Sequence, residues 1–227
     1  MSTITMGLAA GTFCMAGSTV AFQMMAQEET KRFNYVAMAV TGIATMAYLA
    51  MFCGAGIKEV DGRPVYWMRY VDWFFTTPFF LLDLALLAGA DNSDTFYVML
   101  MNAICIASGA VGALNPAAKW PMFILGLVTF AMFIMKLFGA MLAKAQSLGG
   151  GVGAKYSSVT GTTMAIWCIY PAMYLAAEVF RAVTVEQEVL IYAVIDVIAK
   201  CGMGFLLLGS HDVLKEAIAG EKNALLA

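Results

Sequence analysis

Lys200 lies inside the last long apolar run of the chain, Val189–Gly209, with Asp196 four residues before it. An ammonium in an apolar segment is costly to bury and needs a partner or a chemical task. The i, i+4 spacing puts Asp196 on the same helix face, so the pair could be a structural ion bridge. A lysine held in apolar surroundings is also the residue that forms an imine with a carbonyl compound. A second set of ionisable residues, Arg69, Asp72 and Asp83, interrupts another apolar run. Asp72 and Asp83 are eleven residues apart, about three helical turns, and share a face roughly 16 Å long. Buried ionisable groups of this kind face a bundle interior and mark ion pathways or proton relays. Asp72 and Asp196 are candidates to neutralise a cation on Lys200. Asp83 is flanked by Phe79, Phe80, Leu81, Leu82 and Leu84. A carboxyl there is cheaper to bury as the neutral acid, which can serve as a proton donor.

The elements that must position these residues are membrane helices. The chain is 62% hydrophobic and 12% charged, against about 45–50% and 25% in soluble domains. Net charge is −2, which argues against a nucleic-acid partner. Cys14, Cys53, Cys105, Cys168 and Cys201 have neither metal-ligand nor disulfide-framework spacing and read as small core residues. His211 reads as a solvated residue after the last run. The N-terminal run lacks a basic leader and a small-residue cleavage site, so it reads as a first membrane helix rather than a signal peptide.

Seven segments reach the roughly 20 residues a span requires: Thr5–Met25, Phe33–Gly56, Val65–Ala88, Asp94–Leu114, Lys119–Ala143, Ser157–Arg181 and Glu188–Ser210. Short breaks carrying charge or turn residues separate them, which predicts an all-α membrane protein, one seven-helix domain over residues 1–227. With the N-terminus outside, Lys31, Arg32, Lys144, Lys155, Lys215 and Lys222 fall inside, while Lys58, Arg63, Lys119 and Arg181 fall outside. That bias favours a cytoplasmic C-terminus. Lys136 is placed to snorkel from the inner end of the fifth segment.

The run Tyr66–Leu84, YWMRYVDWFFTTPFFLLDL, resembles the third helix of microbial (type 1) rhodopsins of the bacteriorhodopsin type. Ile195–Gly202 is similar to the retinal-attachment motif of the family. Trp167-Cys168-Ile169-Tyr170-Pro171 is similar to its Trp-x-x-Tyr-Pro motif, and Ser108–Leu114 to its fourth helix. The likeness covers all seven segments. It implies all-trans retinal bound covalently to Lys200 as a protonated Schiff base. It implies Asp72 as counterion and proton acceptor, Asp196 as second counterion, and Asp83 as proton donor. Arg69 matches the arginine of the exit side, Glu188 one glutamate of the release pair, and Thr76 the middle of the Asp–Thr–Asp triplet of outward proton pumps, one turn after Asp72. Trp73 and Trp167 match the aromatic walls of the retinal pocket. Tyr48 and Tyr170 match tyrosines that hydrogen-bond the second carboxylate. Thr77, Cys105, Gly109, Met132, Pro171 and Tyr174 match other lining positions.

Four positions depart from the bacteriorhodopsin pattern. Tyr174 replaces a third pocket tryptophan, Asn102 an aspartate paired with the Thr77 position, and Ala37 a threonine that bonds the inner donor. Glu178 falls one residue before the second release glutamate. The resemblance implies a light-driven outward proton pump, a photoreceptor and transporter rather than an enzyme, in the lipid of a plasma membrane, in a family whose members form trimers or pentamers. A light-gated cation channel is the main alternative, although neither the first nor the second segment carries an acid to line a pore. A photosensory rhodopsin is the other, although Asp83 occupies the position where sensors lack a carboxyl.

Overall fold

The computed structural model describes residues 2–226. Helix α1 spans Thr3–Met24 and α2 spans Lys31–Phe52. A small antiparallel hairpin follows, β1 Lys58–Val60 and β2 Arg63–Val65. Helix α3 spans Met68–Ala88 and α4 Asn92–Leu114. Helix α5 runs Lys119–Lys136, continues through a π-helical turn at Leu137–Met141 and ends as Leu142–Ser147. Helix α6 runs Val152–Trp167, resumes as Ile169–Tyr174 and ends in the π-helical turn Leu175–Val179. Helix α7 runs Val185–Val197, passes through a π-helical turn at Ile198–Gly202 and ends as Met203–Leu208. A last helix, α8, spans His211–Leu226.

Neighbours in sequence pack as neighbours in space from α1 to α5, and α1 also packs on α7, which closes the helices around a common interior. Outward-facing Phe13, Met46, Phe96, Met135 and Val194 are exposed. Such a girdle of large apolar side chains suits lipid, where the backbone polar groups must be satisfied within each helix. Six of the described helices are long and apolar enough to cross a membrane. The run that begins at Val152 is not one of them, because it is interrupted at Cys168. Pro171 supplies the cause: it has no N–H for the carbonyl of Trp167 and its ring crowds that carbonyl.

The ends of the helices follow from local chemistry. Asp91 caps α4, accepting from the Asp94 amide at 2.8 Å and the Ser93 hydroxyl at 2.7 Å; these bonds, the amide first, hold its carboxyl below the ordinary aspartate value. Gly89 ends α3 at φ 60°, in the left-handed region where glycine carries no steric penalty. Thr184 and Gln187 form a reciprocal capping box at the start of α7.

Several sequence expectations change. The break between the second and third segments forms a β-hairpin. Helix α5 extends to Ser147, so the glycine-rich connection to α6 is shorter than its composition suggests. Lys136 does not simply snorkel but pairs with Asp94 of α4 at 2.5 Å. His211 is half-buried, its Nδ1 2.9 Å from the hydroxyl of fully buried Thr30. Of the cysteines only Cys201 is buried, while Cys14, Cys53 and Cys168 are exposed; a small apolar residue on the outside of a membrane bundle meets lipid, so burial does not select its position. Helix α8 lies beyond the last predicted segment, which ends at Ser210. Leu214 and Ala217 bury its inner face against the core cluster that includes Leu84, Leu87 and Leu207.

Candidate functional site

A cavity with about 950 Å³ of empty space, part of it open to the exterior, lies between α3, α4, α5, α6 and α7. Lys200 reaches it from α7. The lysine sits in the π-helical turn Ile198–Gly202, a local widening that occurs often at functional sites. Its Nζ donates to Asp72 Oδ2 at 2.7 Å and lies 3.4 Å from Asp196 Oδ1. Lys200 is 5% exposed and both aspartates 0%. One buried cation therefore faces two buried carboxylates. Such a cluster is tolerable only when the remaining oxygens find donors.

The two carboxylates differ sharply in this respect. Asp196 accepts from the Tyr170 hydroxyl at 2.6 Å and Trp73 Nε1 at 3.0 Å on Oδ1, and from the Tyr48 hydroxyl at 2.7 Å on Oδ2. Asp72 Oδ1 has no hydrogen-bond partner among the described residues. The Thr76 hydroxyl donates at 2.8 Å to the Asp72 main-chain carbonyl, not to its carboxylate. Asp196 is thus a fixed charge held by three donors, whereas Asp72 keeps a free oxygen beside the ammonium. Of the two, Asp72 is the one with an open site for a proton.

Replacing Tyr48 with phenylalanine is expected to destabilise the protein by about 2 kcal/mol, the range for a hydrogen bond to a charged group. Gly11→Ala acts in the same direction, because its methyl group would overlap the Tyr48 ring. Thermal melting checks both. A Tyr48→Phe protein that melts with the wild type would show that Trp73 and Tyr170 suffice.

The cavity wall is mostly aromatic and apolar. Trp73, Thr77, Cys105, Gly109, Trp167, Tyr170, Pro171 and Tyr174 all line it. Tyr48 does not, and reaches the site through Asp196 instead. Met132 is not among the lining residues either. The fifth helix presents Met122, Phe123, Gly126, Leu127 and Phe130. These follow the i, i+4 spacing of one face, and Met132, two residues past Phe130, turns about 200° away from it. A register misplaced by two residues was invisible in a helix apolar all round. Tyr70 and Tyr192 were also missed. Both line the cavity and pack edgewise or tilted on Trp73, with ring centroids 5.3 and 5.2 Å away.

Tyr174 stacks on Phe123 at 5.4 Å and 8° between planes. A side chain at Gly112 would collide with its hydroxyl, so the glycine makes room for this tyrosine. The Thr77 hydroxyl lies 2.5 Å from Asn102 Oδ1 and 2.7 Å from the Trp73 carbonyl. With one proton it can donate to only one of them.

Asp83 stands apart. It is 1% exposed, and its Oδ1 has no partner among the described residues. Buried Leu81, Leu84 and Ala37 belong to the core cluster at this end of the bundle. The methyl group of Ala37 offers it no hydroxyl. At the opposite, hairpin end of α3, Arg69 is bonded to Glu188, and its guanidinium lies 4.3 Å from the Tyr192 ring centroid and 5.6 Å from that of Tyr66. The order along the bundle axis is therefore Glu188 and Arg69, then Asp72 and Lys200, then Asp83.

These residues fit a long apolar carbonyl compound. The cavity is lined by ring faces, a primary amine projects into it, and two carboxylates compensate a cation at that nitrogen. A family model described as Bacteriorhodopsin-like protein matches residues 2–214. Archaerhodopsin-1 of Halorubrum ezzemoulense is 33% identical over 231 residues, 97% of this chain and 89% of that protein. Bacteriorhodopsin of Halobacterium salinarum is 34% identical over 228 residues, covering 96% and 87%. Among solved structures, the light-driven proton pump rhodopsin of Coccomyxa subellipsoidea superposes with a TM-score of 0.89 at 30% identity, covering 93% and 98%.

Proposed function

The chain belongs to the bacteriorhodopsin-like protein family, an integral membrane rhodopsin, and from that premise we propose that it is a light-driven outward proton pump. The observation that carries this reading is the buried Lys200 ammonium between Asp72 and Asp196 at the wall of an apolar cavity, with a separate buried carboxyl, Asp83, on the other side. Residues 1–227 act as one retinal-binding unit of seven membrane helices. The kinked run from Val152 is the sixth, the N-terminus lies outside and α8 lies in the cytoplasm.

Lys200 would hold all-trans retinal covalently, and the bound group would supply the absorption of light. Trp73, Trp167, Tyr170, Pro171 and Tyr174 hold the polyene and exclude water. Asp72 takes the proton from Nζ over a 2.7 Å contact. Asp196, fixed by Tyr48, Tyr170 and Trp73, keeps a negative charge in place throughout. Arg69 and Glu188 lead from Asp72 towards the outside. Asp83 returns a proton to Nζ from the cytoplasmic side. Net transport needs the nitrogen to face Asp72 for the first transfer and Asp83 for the second. Each proton moved against 100 mV stores about 2.3 kcal/mol.

Two features support a pump over a channel or sensor. The first two helices contain no acid between Thr3 and Met24 or between Lys31 and Phe52 that would line a cation pore. Asp83 provides the inner carboxyl. The test is illumination of cells that make the protein in the presence of all-trans retinal. The medium is expected to acidify, and a protonophore to abolish the change. A coloured, inserted protein that leaves the pH unmoved would overturn the pump, and photocurrents under voltage clamp would then separate channel from sensor.

A further inference from the structure

Arg63 lies outside every motif named so far, yet its guanidinium is one of two that share Glu188. Its Nη2 is 2.8 Å from Glu188 Oε2, and its Nη1 donates to the Val183 carbonyl at 2.9 Å. The other carboxylate oxygen, Oε1, accepts from Arg69. Arg63 is 12% exposed, Arg69 4% and Glu188 1%, so none of the three is freely solvated. The hairpin explains how Arg63 arrives there. Asp61 and Gly62 both take positive φ, 50° and 72°, the requirement of a tight two-residue β-turn. Arg63 is the first residue after that turn, paired with Val60. The alternation of the strand turns Arg63 and Val65 inward and leaves Pro64 outside.

We propose that Arg63 is a positioning residue for proton exit: it occupies one oxygen of Glu188, and the carboxylate so fixed holds Arg69 at the hairpin end, turned away from Asp72. A guanidinium presents a rigid fork of donors, and one carboxylate can engage both arms of a single fork. With Arg63 on Oε2 and Val183, Glu188 is tied to the hairpin and presents Oε1 to Arg69 there. Other groups face the same carboxylate. Tyr66 precedes α3, Tyr192 comes from α7, and Glu178 ends α6 within electrostatic reach of Glu188, Arg63, Arg69 and Lys119. The Lys119 ammonium donates to the Glu178 carbonyl at 2.6 Å. Arg63 is the residue that ties this cluster to the hairpin.

The inference rests on the retinal-pigment reading, and its test is a titration in the dark, independent of transport. Protonation of Asp72 removes the negative charge nearest to Nζ and so changes the colour of the pigment. Its midpoint reports the field that Arg69 and Glu188 impose. Arg63→Gln frees Glu188 from the hairpin, so Arg69 is no longer held away and can turn towards Asp72, which favours the charged carboxylate. The midpoint is expected to fall by about half a pH unit, roughly a threefold change in proton affinity. In a Glu188→Gln background the same substitution is expected to add nothing, since Arg63 acts through that carboxylate. Arg63→Lys keeps the charge without the fork, and its midpoint falls between the two.

A normal pigment from Arg63→Gln with the wild-type midpoint would overturn the proposal. So would an undiminished shift in the Glu188→Gln background. If Arg63→Gln yields no pigment, the cycle is run with Arg63→Lys against Glu188→Gln, and additivity again overturns it. Failure of the wild type to acidify the medium bears on the pump alone and leaves this titration readable.

Discussion

Asp83→Asn is expected to slow the return of a proton to Lys200 by about two orders of magnitude, the scale of a positioned general acid. The substitution is nearly isosteric, so the leucine-rich surroundings of Asp83 should stay packed. An amide has no proton to give at neutral pH. The proton must then come from bulk water through a buried, apolar end of the bundle, with Leu81 and Leu84 at 0% exposure. The pH dependence follows. With Asp83 in place the returning step draws on a proton already stored, and its rate should change little between about pH 6 and 8. In the asparagine protein the rate should fall with proton concentration, about tenfold per pH unit. Flash spectroscopy of the slow recovery phase across that range measures both. A recovery in Asp83→Asn that is as fast and as flat as in the wild type would remove Asp83 from the relay.

Asp72→Asn is expected to abolish net acidification altogether. It removes the carboxylate 2.7 Å from Nζ and leaves Asp196 at 3.4 Å as the remaining charged neighbour. Asp196 cannot easily take over, because its oxygens are already occupied by Tyr48, Tyr170 and Trp73. Removing one partner of a buried ion pair costs about 3–5 kcal/mol, so thermal bleaching should also begin at lower temperature. The pairing with Asp83→Asn is informative. One variant should stop transport while the other slows it, although both remove a single buried carboxyl from the same helix. Sustained light-driven acidification by Asp72→Asn, measured with a glass electrode at equal pigment content, would show that the proton leaves by another route.

Some of this site was legible along the chain because the costs that select it are local. A lysine or aspartate in an apolar run is expensive wherever it sits, so Lys200, Asp196, Asp72 and Asp83 stand out before any fold is known. Hydropathy and length likewise marked the membrane segments, and charged and turn residues marked the breaks. The match of Trp167 through Pro171 located part of the cavity wall, while the kink beside it emerged from the structure, although proline removes a backbone donor in any context. Fifth-helix register was not legible in the same way. Every face of that helix is apolar, and Met132 is chemically as good a lining residue as Phe130.

What the sequence determined by itself was therefore the class of protein, the identity of its buried charges, and the helix on which each charge rides. Only the tertiary structure decided which charge meets which. The i, i+4 spacing by itself offered only Asp196 to Lys200, and the family resemblance implied Asp72; the shorter contact is to Asp72, 128 residues away, and Lys200 itself sits in a π-helical turn that its local residue types do not announce. The structure also made Asp196 the saturated carboxylate and Asp72 the open one, by assembling donors from three different helices. It brought Arg63 from a hairpin onto Glu188, across 125 residues of chain. Burial costs are set by each residue's own chemistry and can be read one position at a time. Pairings between distant residues depend on helix register, kinks and the closure of the bundle, which no local stretch of sequence contains.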